Sequence, residues 1–196
     1  MRLSGMGSIV LVRHGQTEWS RSGRHTSVTD LDLTDDGERQ ARNLAPALTP
    51  YRFTAVWCSP MRRARHTAAL AGLTVTTTSA DLAEWNYGRY EGVTTATIRE
   101  TVPDWSIWRD GCPDGESPSA IGARLDRALT AIRPLLTDGD VAVVGHGHAL
   151  RVAAARWIGL PPSGGALLGL DTASISVLGH EREQPVLRHW NLTPTP

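Results

Sequence analysis

Two short apolar runs constrain this chain most. Ile9-Val10-Leu11-Val12 ends in Arg13-His14-Gly15, and Val141-Ala142-Val143-Val144 ends in Gly145-His146-Gly147. Runs of this length without polar alternation read as strands buried on both faces, as in a parallel sheet covered by helices. In such a sheet the strands' carboxyl ends share one edge, where α/β proteins place their ligands. Both histidines are therefore expected at the same edge. Phe53 to Cys58 reads as a further strand, ending at Ser59-Pro60, and Leu73 to Thr77 as another β-branched segment. Ser174 to Leu178 and Pro185 to Trp190 read as a terminal antiparallel pair.

Helical patterns fall between the strands. Ala41, Leu44, Ala45 and Leu48 recur at helical spacing over 35–48, behind a capping Thr34. Pro60 is expected to open a helix carrying Arg62 to Leu70. Ile121, Leu125, Ala128, Leu129, Ile132 and Leu135 form one stripe over Ser119 to Leu136, and Ala149 to Ile158 carries another. Alternating strands and helices predict an α/β fold, a three-layer αβα sandwich with a mostly parallel central sheet. The length of 196 residues fits one domain over 1–196. Leu82 to Ser117, rich in Trp, Gly and Pro, reads as a lid-like excursion at about 82–117, with at most one helix near Thr95 to Val102.

Charge narrows the partners. Lys+Arg and Asp+Glu each count 20, so net charge gives no argument for nucleic acid or an anionic membrane. Arg13, Arg21, Arg24, Arg62, Arg63 and Arg65 can instead focus a local positive field on a small phosphorylated metabolite, the other reading being a solvated helix face. Cys58 and Cys112 are too few for a disulfide framework. The start, Met1 to Gly7, lacks a long apolar stretch and no run reaches membrane-spanning length, so a soluble cytoplasmic protein is expected. No histidine pairs with a carboxylate at metal-ligand spacing, and neither a metal nor a cofactor is expected.

The two strand-end histidines can face one bound anion, one as nucleophile and one as hydrogen-bond donor. The third strand end delivers Arg63 to that edge from the first turn of its helix, and helix N-termini there favour anions. Imidazole is available near pH 7 as a neutral nucleophile. Guanidinium forks can stabilise the charge of a transferring phosphoryl group.

Five separated motifs then occur in one order: Leu11 to Thr17, Leu33-Thr34 with Gly37, Ser59 to Thr67, Glu84 with Gly88 and Gly92, and His146-Gly147. The chain resembles the histidine phosphatase superfamily from about Ile9 to Leu178. The resemblance implies a phosphoglycerate mutase-like fold, phosphorylation of His14, a phosphate pocket of Arg13, Arg63 and His146, and Glu84 as proton donor. It also implies substrate contacts from Gln16, Thr17, Ser20, Thr26, Ser27, Arg24, His25, Arg109 and His148, the last through its backbone N–H. Trp85, Tyr87 and Glu116 are further candidates for substrate selection. Ser20 stands where many members carry Asn, and Thr26-Ser27 where many mutases carry Thr-Gly, which moves the reading from mutase towards phosphatase. The run Trp108 to Cys112 and the motif Gly145 to His148 are similar to two phosphatase branches, fungal sedoheptulose-1,7-bisphosphatase and an actinobacterial acid phosphatase.

The expectation is a metal-independent phosphatase acting on sugar phosphates or phosphoglycerate-like compounds. A cofactor-dependent phosphoglycerate mutase is the alternative, and a non-catalytic phospho-ligand binding protein is the rival of another class. Oligomeric state, including a homodimer, stays open.

Overall fold

The computed structural model describes residues 6–194. Met1 to Gly5, read above as lacking an apolar stretch, lie outside the described residues. In chain order the elements are β1 (Ile9–Arg13), α1 (Glu18–Ser22), α2 (Asp35–Leu48), β2 (Phe53–Cys58), α3 (Arg62–Leu70) and β3 (Thr77–Thr78). There follow α4 (Thr95–Thr101), α5 (Ile107–Asp110), α6 (Pro118–Ile132), β4 (Asp140–Gly145), α7 (Gly147–Trp157), β5 (Ile175–Glu181) and β6 (Gln184–Leu192). The sheet has six strands in the order β3-β2-β4-β1-β5-β6. Pairing is parallel from β3 to β1 and antiparallel for β1 with β5 and β5 with β6.

The alternation of side chains along a strand sorts the core onto the two faces. Ile9, Leu11, Val141 and Val143 pack with Ile121, Leu125, Leu150 and Trp157 of α6 and α7. Val10, Val12, Ala142 and Val144 pack with Leu44, Leu48, Ala64 and Ala68 of α2 and α3. A sheet covered by helices on both faces is the three-layer αβα sandwich expected from the alternation.

Register places the histidines. Arg13 pairs with Gly145 across β1 and β4, so the next residues, His14 and His146, leave the sheet side by side. The His14 N–H donates to the Gly145 carbonyl at 3.0 Å, and the Ser59 N–H to the Val144 carbonyl at 3.0 Å. Helix α2 fixes the turn after His14 through a direct backbone crossing. A Cβ on Gly15 would lie 2.3 Å from the Gly37 carbonyl oxygen, and one on Gly37 would lie 2.1 Å from the Gln16 carbonyl oxygen.

Several boundaries differ from the sequence reading, each for a physical reason. Only Thr77 and Thr78 of the Leu73 to Thr77 region join the sheet. Leu73 is held by the Ala68 carbonyl, and the Thr76 hydroxyl takes both the N–H and the carbonyl of Val56. Pro60 does not open α3, which starts at Arg62 with Met61 as its cap, because Asp30 captures the Arg62 N–H at 2.8 Å. Helix α6 stops at Ile132 and continues as a 3₁₀ stretch, Arg133–Thr137, since Pro134 has no N–H to donate. Helix α1 was not expected. Thr17 and Ser20 close it with a reciprocal capping box.

The excursion holds two helices, α4 and α5, rather than one, with 3₁₀ turns at Ala80–Leu82 and Gly88–Tyr90. Arg124 of α6 anchors it at both ends. It donates to the carbonyls of Asp81, Ala83 and Glu84 and pairs with Glu116 at 2.7 Å, both side chains being largely buried. Trp85 is fully buried and donates to the Glu116 carbonyl at 2.9 Å. Glu116 and Trp85, expected as substrate-selecting, are therefore part of the excursion's internal frame.

Candidate active site

The strand edge opens into a cleft of about 330 Å³ lined by Arg13, His14, Glu84, Gly147 and His148 at its inner end. Loop 20–26, α4, α5 and Arg151 line the remainder. His14 is 5% exposed. Its Nδ1 lies 2.7 Å from the Gly15 carbonyl oxygen, and a carbonyl can only accept, so Nδ1 carries the proton. The Nε2 lone pair is thereby free for the cleft. Burial, reinforced by the charges of Arg13 and Arg63, holds the imidazole well below its ordinary pKa. The ring is neutral at neutral pH, with its lone pair on a defined nitrogen.

His146 caps α7 and is fully buried against Arg63 and Ser59. Arg63 Nε donates to His146 Nδ1 at 3.2 Å, which makes Nε2 the protonated nitrogen, donating to Ser59 Oγ at 2.6 Å. Burial, then Arg63 and His14, keep His146 well below its ordinary pKa. The His14 and His146 rings sit 5.1 Å apart, edge to face. Three of the four remaining N–H donors of Arg63 hold the carbonyls of Thr29, Ser27 and Thr26. In this arrangement Arg63 and His146 stand directly behind the cleft wall rather than in it.

Glu84 joins the excursion to α7. Its Oε1 accepts from the N–H groups of Trp85 at 2.9 Å and Ala149 at 2.8 Å, and its Oε2 from the N–H of His148 at 3.0 Å. A carboxylate has about four lone-pair sites, so one on Oε2 stays open to the cleft. Arg13 lies over Gly147, with one terminal nitrogen on the Leu170 carbonyl and a buried Nε that has no partner among the described residues. An uncommitted donor at the N-terminus of α7 suits an incoming anion.

The histidine phosphatase superfamily (branch 1) family model matches residues 9–193. The chain is 43% identical over 190 residues to an acid phosphatase of Mycobacterium tuberculosis, covering 96% of this chain and 94% of that one. It is 41% identical over 183 residues to a sedoheptulose 1,7-bisphosphatase of Saccharomyces cerevisiae, covering 77% of this chain and 67% of that one. The solved structure of a Mycobacterium tuberculosis open reading frame product superposes with a TM-score of 0.94 at 42% identity, covering 96% and 99% of the two chains. The chain belongs to the histidine phosphatase superfamily. It is a phosphatase-type hydrolase with the fold of the phosphoglycerate mutase-like proteins.

Within this histidine phosphatase, His14, Arg13 and Glu84 meet at the inner end of the cleft, backed by Arg63 and His146. Ser20, Arg24, His25, Thr26 and His148 also line it. The others predicted to touch substrate do not. Gln16 accepts from the Thr34 hydroxyl at 3.0 Å, Thr17 is buried under the cap of α1, and Ser27 is bound by Glu91 through N–H and hydroxyl. Arg109 is paired with Asp110 at 2.8 Å and lies outside the lining. The backbone N–H of His148, expected to reach phosphate, is held by Glu84.

The His148 side chain faces the cleft instead, with Nδ1 2.7 Å from the Tyr87 hydroxyl. Burial and Arg151 keep His148 neutral, and burial and Glu84 keep Tyr87 a phenol. His25 stacks on Tyr87 at 4.6 Å, and burial pushes it down to about 4. Cys58 and Cys112 are buried and pushed up to about 12, far from thiolate reactivity. Among the described residues, no three His, Cys, Asp or Glu side chains converge as a metal-ligand group. No helix among them is long and apolar enough to cross a membrane.

The sequence reading missed Ser59 as partner of His146 and Arg99 as a cleft residue. Ser59 was visible as part of its motif, although nothing in a linear sequence shows which ring nitrogen it meets. Arg99 lies in an ordinary polar helix and carries no distinguishing signal.

Proposed function

We propose that the protein hydrolyses small phosphorylated metabolites through a phosphohistidine on His14, without a metal. The observation carrying this reading is the fixed tautomer of His14, with Nδ1–H on Gly15 and Nε2 left for the cleft. Attack of Nε2 on phosphorus forms the N–P bond and breaks the ester P–O bond. The leaving alkoxide takes its proton from Glu84, acting as acid through the Oε2 position that no backbone group occupies. Water then attacks the phosphohistidine, Glu84 receives the proton, and phosphate and free His14 are released. One carboxyl serves both half-reactions.

Arg13, with its unpartnered Nε, is the first guanidinium available to the phosphoryl oxygens. Arg63 and His146 stabilise that end from behind the wall, where low dielectric strengthens their field. Sugar phosphates and phosphoglycerate-like compounds fit the cleft's size and its positive lining, and the similarity to an acid phosphatase and a sugar bisphosphatase supports the class.

Rapid quench with a labelled phosphomonoester tests the cycle. An acid-labile, alkali-stable phosphoenzyme that vanishes in His14→Ala, with release of inorganic phosphate, is expected. Isomerised phosphoester in place of phosphate would establish the mutase reaction instead.

A further inference from the structure

Gly15 brings freedom to the turn that carries His14. Its lack of a side chain is imposed by the backbone crossing, since a Cβ there would lie 2.3 Å from the Gly37 carbonyl oxygen. A glycine also lets the peptide planes on either side of it rotate at little cost. The two planes are held differently. In the His14–Gly15 plane the carbonyl accepts from the Ala173 N–H at 3.0 Å, and the Gly15 N–H donates to the buried Thr67 hydroxyl at 3.0 Å. Thr67 is in turn tied to the Arg63 carbonyl at 2.8 Å. That plane is fixed from both sides by other elements of the fold.

The Gly15–Gln16 plane is the one that bears on the ring. Its carbonyl is the acceptor for His14 Nδ1–H, and its N–H donates to Gln40 Oε1 at 3.0 Å. Among the described residues, this plane has no hydrogen-bond partner except the ring and Gln40. A backbone N–H can only donate, so the amide oxygen of Gln40 faces it, and the Thr172 hydroxyl meets the same oxygen at 3.3 Å. A peptide group is rigid, with N–H and C=O on opposite sides, so an acceptor fixed on the N–H sets the direction of the carbonyl. Gln40 stands one turn along α2 from Gly37 and does not line the cleft. One face of α2 thus supplies both the contact that demands glycine at position 15 and the amide that removes the freedom glycine brings.

We propose that Gln40 is a positioning residue for His14, acting through the Gly15 carbonyl to keep the ring's proton on Nδ1 and its lone pair on Nε2. The kinetic consequence rests on the phosphatase reading above. If the plane turns, Nδ1 loses its acceptor, and the neutral ring can carry its proton on Nε2 instead. That tautomer has no lone pair to offer phosphorus. No substrate contact is lost, so the effect falls on kcat rather than KM.

Two substitutions test this. Gln40→Met keeps the length of the side chain and removes its acceptor, whereas Gln40→Glu keeps an oxygen there. With isotope-labelled histidine, long-range proton–nitrogen correlations at neutral pH read which nitrogen of each ring carries the proton, and His14→Ala identifies the signals of His14. Protonation at Nδ1 is expected in the unaltered protein and in Gln40→Glu, and a mixture of both tautomers in Gln40→Met. With p-nitrophenyl phosphate, kcat is expected to fall about three- to tenfold in Gln40→Met, the worth of one hydrogen bond, with KM within about twofold. Gln40→Glu is expected to restore most of it. An unchanged tautomer and kcat in Gln40→Met, even with a lowered melting temperature, overturns the proposal, as does a loss carried by KM. Absence of hydrolysis by the unaltered protein overturns the phosphatase reading, whereas a tautomer shift in Gln40→Met still upholds the tie from Gln40 to the ring.

Discussion

The two ends of the cleft are built differently. At the inner end most catalytic candidates are tied to main chain, and His146 is held by the side chains of Arg63 and Ser59. His14 is held by Gly15, Glu84 by three N–H groups, and Arg63 by three carbonyls. At the outer end, Arg24, Arg99, Arg151 and Trp108 project from a loop, two short helices and a later turn of α7, Arg99 with one side-chain hydrogen bond and Arg151 with two and the Trp108 ring. The inner end is held mostly by backbone, which side-chain substitution leaves in place. Geometry needed for choosing a substrate is carried by side chains that can be exchanged without disturbing the sheet.

The sharpest way to break this comparison is His14→Ala. It should reduce phosphate release by about 10⁴-fold or more, as loss of a nucleophile does, while circular dichroism and melting stay near those of the unaltered protein. Glu84→Gln should cost about 10²- to 10³-fold in turnover. It should also lower stability by about 1–3 kcal/mol, because an amide has one acceptor oxygen for three N–H donors. Denaturant unfolding read beside kinetics separates the two effects, and unchanged stability would argue against Glu84 as a structural tie.

Ser59→Ala should cost about 1–3 kcal/mol by leaving the buried His146 Nε2–H without its acceptor, and lower activity only through His146. At the outer end, Trp108→Leu should raise KM by about two- to fivefold with kcat unchanged, through the lost support of Arg151. An effect on kcat as large as that of Glu84→Gln would erase the distinction between the two ends.

pH probes the inner end as a whole. In the proposed cycle the neutral form of His14 attacks phosphorus, and its pKa is depressed, so the acid limb of kcat/KM should lie below the ordinary imidazole range. Stability runs the other way. His14, His25, His146 and His148 all have lowered values when folded. Below about pH 6.5 the unfolded chain takes up protons that the folded one refuses. Each such histidine then removes up to about 1.4 kcal/mol per pH unit, until its folded pKa is reached, which for His25 is about 4. Unfolding midpoints measured from pH 7 to 4 should fall steadily, and a flat profile would contradict the neutral buried histidines.

This division between ends also explains what the sequence disclosed. β1 and β4 read clearly because four apolar residues followed by a strand-end histidine and glycine leave little choice of structure, and Arg13, His14 and His146 lie at those strand ends. The ties among these residues were not legible, since Glu84 meets His148 across 64 positions and Arg63 meets His146 across 83. Ser20 is expected as a substrate contact, but its hydroxyl belongs first to the cap of α1. Capping side chains and ligand-binding side chains are of the same chemical types. The outer end was least legible, because an arginine facing a cleft and one facing solvent occupy helices of the same pattern.

The crossing of Gly15 and Gly37 bears on how this sequence can vary. Each glycine abuts main chain rather than a side chain, so no second substitution can make room for a methyl group at either position. In a library sampling every single substitution, measured for phosphate release, positions 15 and 37 should tolerate none. Their neighbours in α2 should accept many, and the blank at Gly37 would mark, 23 positions away in sequence, where the turn after His14 is anchored.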